Sequence, residues 1–351
     1  MLILFSTIIL VVIGVLAYLN TKPFGRLPQG KRLERILHSP NFKDGEFRNQ
    51  TNTPMFVQNK GMLTIMYETF FKKNKDVRPS KPIEVVKTDL NNLPLKEDLI
   101  VWFGHSSYLI QSSSKKILVD PVFITSSPAF FINNRPFEGT NIYTPEDMPD
   151  IDYLVITHDH WDHLDYETVI RLKNRIGKVI CPLGVGEYFE YWGFNPKRII
   201  ELDWNENVVF ADSIKFHCMP ARHFSRRGLK RNRTLWASFI LETPTKTIFI
   251  GGDGGYAPHF ADIGKKFPNI DLAVLENGQY NEAWANIHLM PKYMVSALKD
   301  LNPRKILTVH HSKFALAQHP WYEPIENELM MKKESLPILM PKIGEVVTLD
   351  K

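Results

Sequence analysis

The chain is expected to form an α/β fold of four layers (α/β/β/α), with two sheets packed face to face and each covered by helices. An N-terminal transmembrane helix is expected to precede it. Three observations predict this. Residues 2–19 carry no charge. From residue 99 onward, short apolar or alternating runs are separated by turn residues and helical stretches. Those runs fall into two β-rich halves, each with its own helices.

Taken in order, the 18 residues at 2–19 would rise roughly 27 Å as a helix, close to a bilayer core of about 30 Å. They show no amphipathic period, which argues against a core helix. Nothing basic precedes Leu2, which argues against a cleaved signal peptide. Lys22, Arg26, Lys31, Arg32 and Arg35 follow the run, so the body is expected on the cytoplasmic side of a cell membrane. Residues 1–20 therefore read as an anchor, with the bilayer as a partner through 2–19. Residues 21–97 read as an irregular arm rich in Pro and Gly, packed on the main domain, with one helix near 61–73. Residues 98–351 read as the main domain.

Within that domain, strands are expected at 99–103, 108–111, 116–119 and 152–156. A helix over 165–175, a strand at 179–181 and a helix over 184–192 follow. The second half repeats the theme, with strands at 199–201, 208–210, 214–218, 236–241 and 247–250. A helix over 256–267, a strand at 272–275, a helix over 291–301 with Pro in its first turn, and a strand at 305–308 complete it.

Composition excludes several classes. The 351 residues hold 43 Lys+Arg against 38 Asp+Glu, and this weak, interspersed charge gives no footprint for nucleic acid. Two cysteines, Cys181 and Cys218, are too few for a disulfide framework or a Cys-rich zinc ribbon. Twelve histidines are more than a routine core needs, and several are bunched.

The bunching is Thr157-His158-Asp159-His160-Trp161-Asp162-His163-Leu164-Asp165, directly after an expected strand. Imidazole and carboxylate at this density lose solvation on a turn unless something uses them, and both are hydrolytic metal ligands. His158 and His160, two apart in extended chain, can share one ion, while Asp162 and His163 can reach a second. Further candidates sit at strand ends: His223, Asp253 within Gly251-Gly252-Asp253-Gly254-Gly255, and His310. His105 and Asp120 are candidates to orient such ligands. His38, His217, His259 and His319 read as surface or packing residues.

The His-x-His-x-Asp-His run with His223, Asp253 and His310 resembles the metallo-β-lactamase fold superfamily. Trp102-Phe103-Gly104-His105, Asp120-Pro121, Pro220-Ala221-Arg222-His223, Thr234-Leu235-Trp236, Gly252-Asp253-Gly254-Gly255-Tyr256 and Lys313-Phe314-Ala315-Leu316-Ala317 resemble its N-acyl-phosphatidylethanolamine phospholipase D branch. The resemblance covers roughly residues 39–350. It implies that His158, His160 and His223 hold one zinc, that Asp162, His163 and His310 hold another, and that Asp253 bridges them. It also implies that His288 acts near the leaving group, and that Asp162 and Asp253 take part in catalysis. His311 is a weaker ligand candidate than His310 in the family register. The chain departs from the phospholipase at Glu276-Asn277-Gly278-Gln279-Tyr280 and at His311-Ser312. Asp253, not Cys218, fills the bridging place, which sets the chain apart from zinc β-lactamases that use a thiolate.

The implied activity is that of a membrane-anchored binuclear zinc hydrolase, a phosphodiesterase of phospholipase D type. Its substrate is a membrane phospholipid, attacked by a hydroxide shared between the metals. The alternative is a lactone or ester hydrolase of the ascorbate-phosphate lactonase type on the same ligands. Nitrogen and oxygen ligands suit zinc, and also iron or manganese. The basic run Arg222, Arg226, Arg227, Lys230, Arg231 and Arg233 beside His223 is a candidate surface for anionic head groups.

Overall fold

The computed structural model describes residues 2–57, 76–128 and 134–350. The helix expected near 61–73 lies outside the described residues. The chain opens with a helix over Leu2–Leu19. A helix over Gly30–Leu37 and a short hairpin, β1 (Phe42–Lys43) with β2 (Glu46–Phe47), follow.

The first sheet takes β3 (Leu99–Trp102), β4 (Tyr108–Ser112), β5 (Lys115–Val119), β6 (Ile151–Val155), β7 (Ile176–Pro182) and β8 (Ile199–Leu202) in chain order. The second takes β9 (Asn207–Val209), β10 (Lys215–Met219), β11 (Ser238–Glu242), β12 (Thr247–Ile250), β13 (Leu272–Glu276), β14 (Lys305–Val309) and β15 (Ile338–Leu339). The chain then returns to the first sheet, where β16 (Val346–Thr348) pairs antiparallel with β3. Each sheet is antiparallel on one side and parallel on the other, with the change at β5 in the first and at β12 in the second.

Most of these strands read as continuous apolar runs because both faces of each sheet are covered. In β3, Ile100 and Trp102 face the second sheet, while Leu99 and Val101 face the outer layer. In β13, Leu272 and Val274 point between the sheets, and Ala273 and Leu275 point outward. The helices over Tyr166–Leu172 and Gly186–Tyr191 cover the first sheet through Val169, Leu172 and Phe189. Those over His259–Lys266, Pro291–Leu301 and Glu323–Lys333 cover the second through Ile263, Leu298 and Met331. The expected four layers are present.

The transmembrane expectation is corrected. Among the described residues no helix is long and apolar enough to cross a membrane. The 18 residues of Leu2–Leu19 rise only about 27 Å at about 1.5 Å per residue, the lower limit for a bilayer core of about 30 Å. The last turn is also committed to the body. The Tyr18 hydroxyl donates to Pro128 O, and its ring meets Phe24, which in turn meets Trp161 of the His-rich loop. The single-pass anchor expected at residues 1–20 is therefore not supported by the described helix, and the cytoplasmic orientation built on it lapses.

The described arm braces the body. Arg32 pairs with Glu187, Glu190 and Glu201, and Ile36 and Phe47 enter the core between the sheets. Asn49 clamps the His223 peptide, donating to its carbonyl at 2.8 Å and accepting from its amide at 3.1 Å.

Candidate metal centre

The loop after β6 carries His158 to His163 across the carboxyl end of the first sheet, facing loops from β10, β12 and β14. Its shape is fixed from beneath. Asp159 is buried and accepts from Tyr188 Oη, Thr234 Oγ1 and the Arg226 amide. Asp165 caps the following helix and accepts from the Ile124 and Thr125 amides. Gly252 has φ +61°, and a Cβ there would lie 2.9 Å from Thr157 Cβ. A glycine is therefore what lets the Asp253 loop close onto the His-rich loop.

Every residue expected to bind metal arrives at this place. His158 Nε2 lies 2.9 Å from His160 Nδ1, and His223 Nε2 lies 3.2 Å from that same atom. Asp253 Oδ2 is 3.9 Å from His158 and 3.8 Å from His223. On its other side the same oxygen lies 3.2 Å from His163 Nε2 and 3.4 Å from His310 Nε2. Asp162 Oδ2 is 3.4 Å from His310 and 3.6 Å from His163. By these distances Asp253 stands between His158, His160 and His223 on one side and Asp162, His163 and His310 on the other, while Asp253, Glu276, His288 and His310 form a third, overlapping set.

The ring partners set which nitrogens face inward. Thr157 Oγ1 spends its proton on Asp120 Oδ2, so His158 Nδ1–H donates to Thr157. His163 Nδ1–H donates to Asp120 Oδ2 at 2.8 Å, and His223 Nδ1–H donates to Ile287 O at 2.7 Å. Each of these three rings therefore turns its Nε2 toward the cluster, as a backing acceptor imposes on a ligating histidine. His105 donates to Asp162 Oδ2 at 2.9 Å. The orienting roles expected for Asp120 and His105 are thus visible as direct contacts.

Electrostatics separate the two groups. Burial, reinforced by neighbouring imidazoles, pushes His158 and His223 well below the usual histidine range and takes His160 down to about 4. Burial also works against charge on His163 and His310, but the facing carboxylates, Asp253 first, outweigh it. His163 is held well above its ordinary value, and His310 rises to about 10. Burial works against charge on Asp162 and Asp253, and His163 is first among the groups that hold both well below the carboxylate range.

The donor set fits divalent metal. Ligands on a tetrahedral zinc at about 2.0–2.1 Å stand roughly 3.3 Å apart, near the spacing of the three histidine nitrogens here. The buried His163 Nε2 and Asp253 Oδ1 have no hydrogen-bond partner. Converging lone pairs and orphaned buried polar atoms call for a cation.

Two further residues enter the site. His288 Nδ1 is 4.0 Å from Asp253 Oδ2 and 2.7 Å from Glu276 Oε2. Glu276, not predicted as a site residue, lies at the end of β13, where its strand-end position was the available signal. His311 turns away, toward Ser312, Thr308 and Glu328. Part of the basic run is committed to the body, while Arg226 and Lys230 stay exposed. Arg227 is buried over the Trp161 ring and donates to Asp159 O, Leu164 O and Pro23 O, while Arg222 and Arg233 clip the arm at Asn52, Thr53 and Gly45.

Comparison with known proteins agrees with this geometry. A family model described as the β-lactamase superfamily domain matches residues 115–311. The chain is 35% identical over 315 residues to an uncharacterized protein of Mycobacterium tuberculosis, covering 88% of this chain and 84% of that one. It is 30% identical over 255 residues to N-acyl-phosphatidylethanolamine-hydrolyzing phospholipase D 1 of Caenorhabditis elegans, covering 67% and 70%. In fold it resembles Igni18, a metallo hydrolase from Ignicoccus hospitalis, with TM-score 0.55 and 20% identity over 73% of this chain and all of that one. The chain belongs to the β-lactamase superfamily. Within it, the protein is a metal-dependent hydrolase of the metallo-β-lactamase fold.

Proposed function

We propose that the protein is a binuclear phosphodiesterase of phospholipase D type, acting on N-acyl-phosphatidylethanolamine or a related phospholipid. The observation that carries this reading is the 30% identity to the nematode phospholipase over two thirds of both chains. His158, His160 and His223 would hold one ion, and Asp162, His163 and His310 the other, with Asp253 shared; zinc is the ion proposed. Bound metal would lower the pKa of water toward neutrality and stabilise charge on phosphoryl oxygens.

The chain's own side chains supply the rest. His105 and Asp120 hold Asp162 and His163 in place through hydrogen bonds of 2.9 and 2.8 Å. His288 stands at the rim, 12% exposed, with its Nδ1 proton engaged by Glu276. In its imidazolium form, the Nε2–H would give a proton to the departing head-group alkoxide, leaving the Nδ1–H held by Glu276.

The test is hydrolysis by zinc-loaded protein of N-acyl-phosphatidylethanolamine beside an acyl lactone, with iron- and manganese-loaded samples in parallel. Release of phosphatidic acid and N-acylethanolamine in their proper linkage products, above lactone turnover, is expected. Lactone turnover without phosphodiester cleavage would overturn the reading in favour of an ester hydrolase.

A further inference from the structure

Glu276 opens the stretch in which the chain departs from the phospholipase pattern, and it is 2% exposed. Four donors converge on its carboxylate. Oε1 accepts from the Gly254 amide at 2.7 Å and the Leu289 amide at 2.8 Å. Oε2 accepts from His288 Nδ1 at 2.7 Å and His310 Nδ1 at 3.2 Å. One oxygen therefore joins the backbones that follow Asp253 and His288. The other sets both rings.

We propose that Glu276 is a positioning residue of the hydrolytic site, fixing the tautomer and aim of His288 and His310 while tying the Asp253 loop to the His288 loop. This rests on the roles given to those histidines above. The side-chain chemistry leaves little choice at the position. All four neighbours donate, and only a carboxylate offers acceptors on both oxygens; an amide would set its own N–H groups against two of them. The effect reaches the reaction through two paths. With Nδ1–H spent on Glu276, His288 presents Nε2 to the leaving-group side and His310 presents Nε2 to Asp162 and Asp253.

The test compares wild type, Glu276→Gln and Glu276→Asp as zinc-loaded proteins. Nitrogen NMR of the wild type is expected to show protonated, hydrogen-bonded Nδ1 on both His288 and His310. Glu276→Gln is expected to lose about 10–100-fold in kcat and in zinc affinity, with KM changed less than about threefold. Glu276→Asp is expected to recover part of both, because it keeps acceptors only. A wild-type His288 protonated at Nε2 alone would overturn the proposal, and that measurement needs no variant to fold. Wild-type kcat and zinc affinity in Glu276→Gln would overturn it too. If the wild type cleaves no phospholipid, the phospholipase reading falls, while zinc affinity and the ring-nitrogen signals still decide the role of Glu276.

Discussion

At the scale of the residue, Asp253 has the most connected position in the site. Its Oδ2 faces His158, His223, His163 and His310 at 3.2–3.9 Å, so it is the one side chain common to both histidine groups. Asp253→Asn keeps the shape but puts an amide where a shared anion stood. The expected outcome is a fall in kcat beyond the roughly hundredfold range of groups that act only through a ligand. Circular dichroism should stay that of the wild type, and unchanged activity would refute the shared role. The His-x-His-x-Asp-His run was legible because so many desolvated donors on one turn need a use. Glu276 was not, since a single carboxylate at a strand end carries no spacing pattern. Backbone conformation was equally hidden: His105 and His310 both sit at positive φ, 52° and 69°, each held by a cross-loop hydrogen bond.

At the scale of the element, the strands were readable because apolar residues fill both faces, and most observed boundaries fall within two residues of expectation. The helix over Glu323–Lys333 was not. Its buried positions are Pro324, Asn327, Glu328 and Met331, so no apolar stripe marks it. Beside Met331, polar contacts hold it, Asn327 to Asn277 and Tyr280, and Glu328 to Thr308 and His311. Strand β16 escaped for another reason, because its partner β3 lies some 245 residues earlier in the chain. The helices over His259–Lys266 and Pro291–Leu301 pack so closely that a Cβ at Gly264 would lie 1.9 Å from Asp300 O. Gly264→Ala is therefore expected to destabilise the fold by about 1–3 kcal/mol, read as a lowered thermal midpoint. Gly264 and Asp300 lie in the last turns of the two helices, away from the loops that carry Asp253 and His288, so metal content per folded chain should be retained. An unchanged midpoint would show that the helices separate without cost.

At the scale of the molecule, two sheets of matching pattern put their carboxyl-end loops together, and the arm locks one of them through Asn49. The four layers were legible in the order of strands and helices. The uncharged N-terminal run was misleading, because composition alone does not show that Tyr18 docks on the body. Charge at the site also sets the behaviour of the metal-free fold. His310, raised to about 10 from an ordinary value near 6.5, contributes stability that is full below about pH 6.5 and lost as pH rises through about 10. Asp162 and Asp253, held below the ordinary value of about 3.9, contribute stability present above it and lost as pH falls through their lower folded values. Near neutrality the metal-free site therefore holds a proton on His310 that an entering cation must displace.

Calorimetric titration of zinc into the metal-free chain at pH 7, in two buffers of different ionisation enthalpy, tests the binuclear centre most directly. Two zinc ions per chain with net release of protons is the predicted result. One ion or none per chain, or binding without proton release, would contradict it.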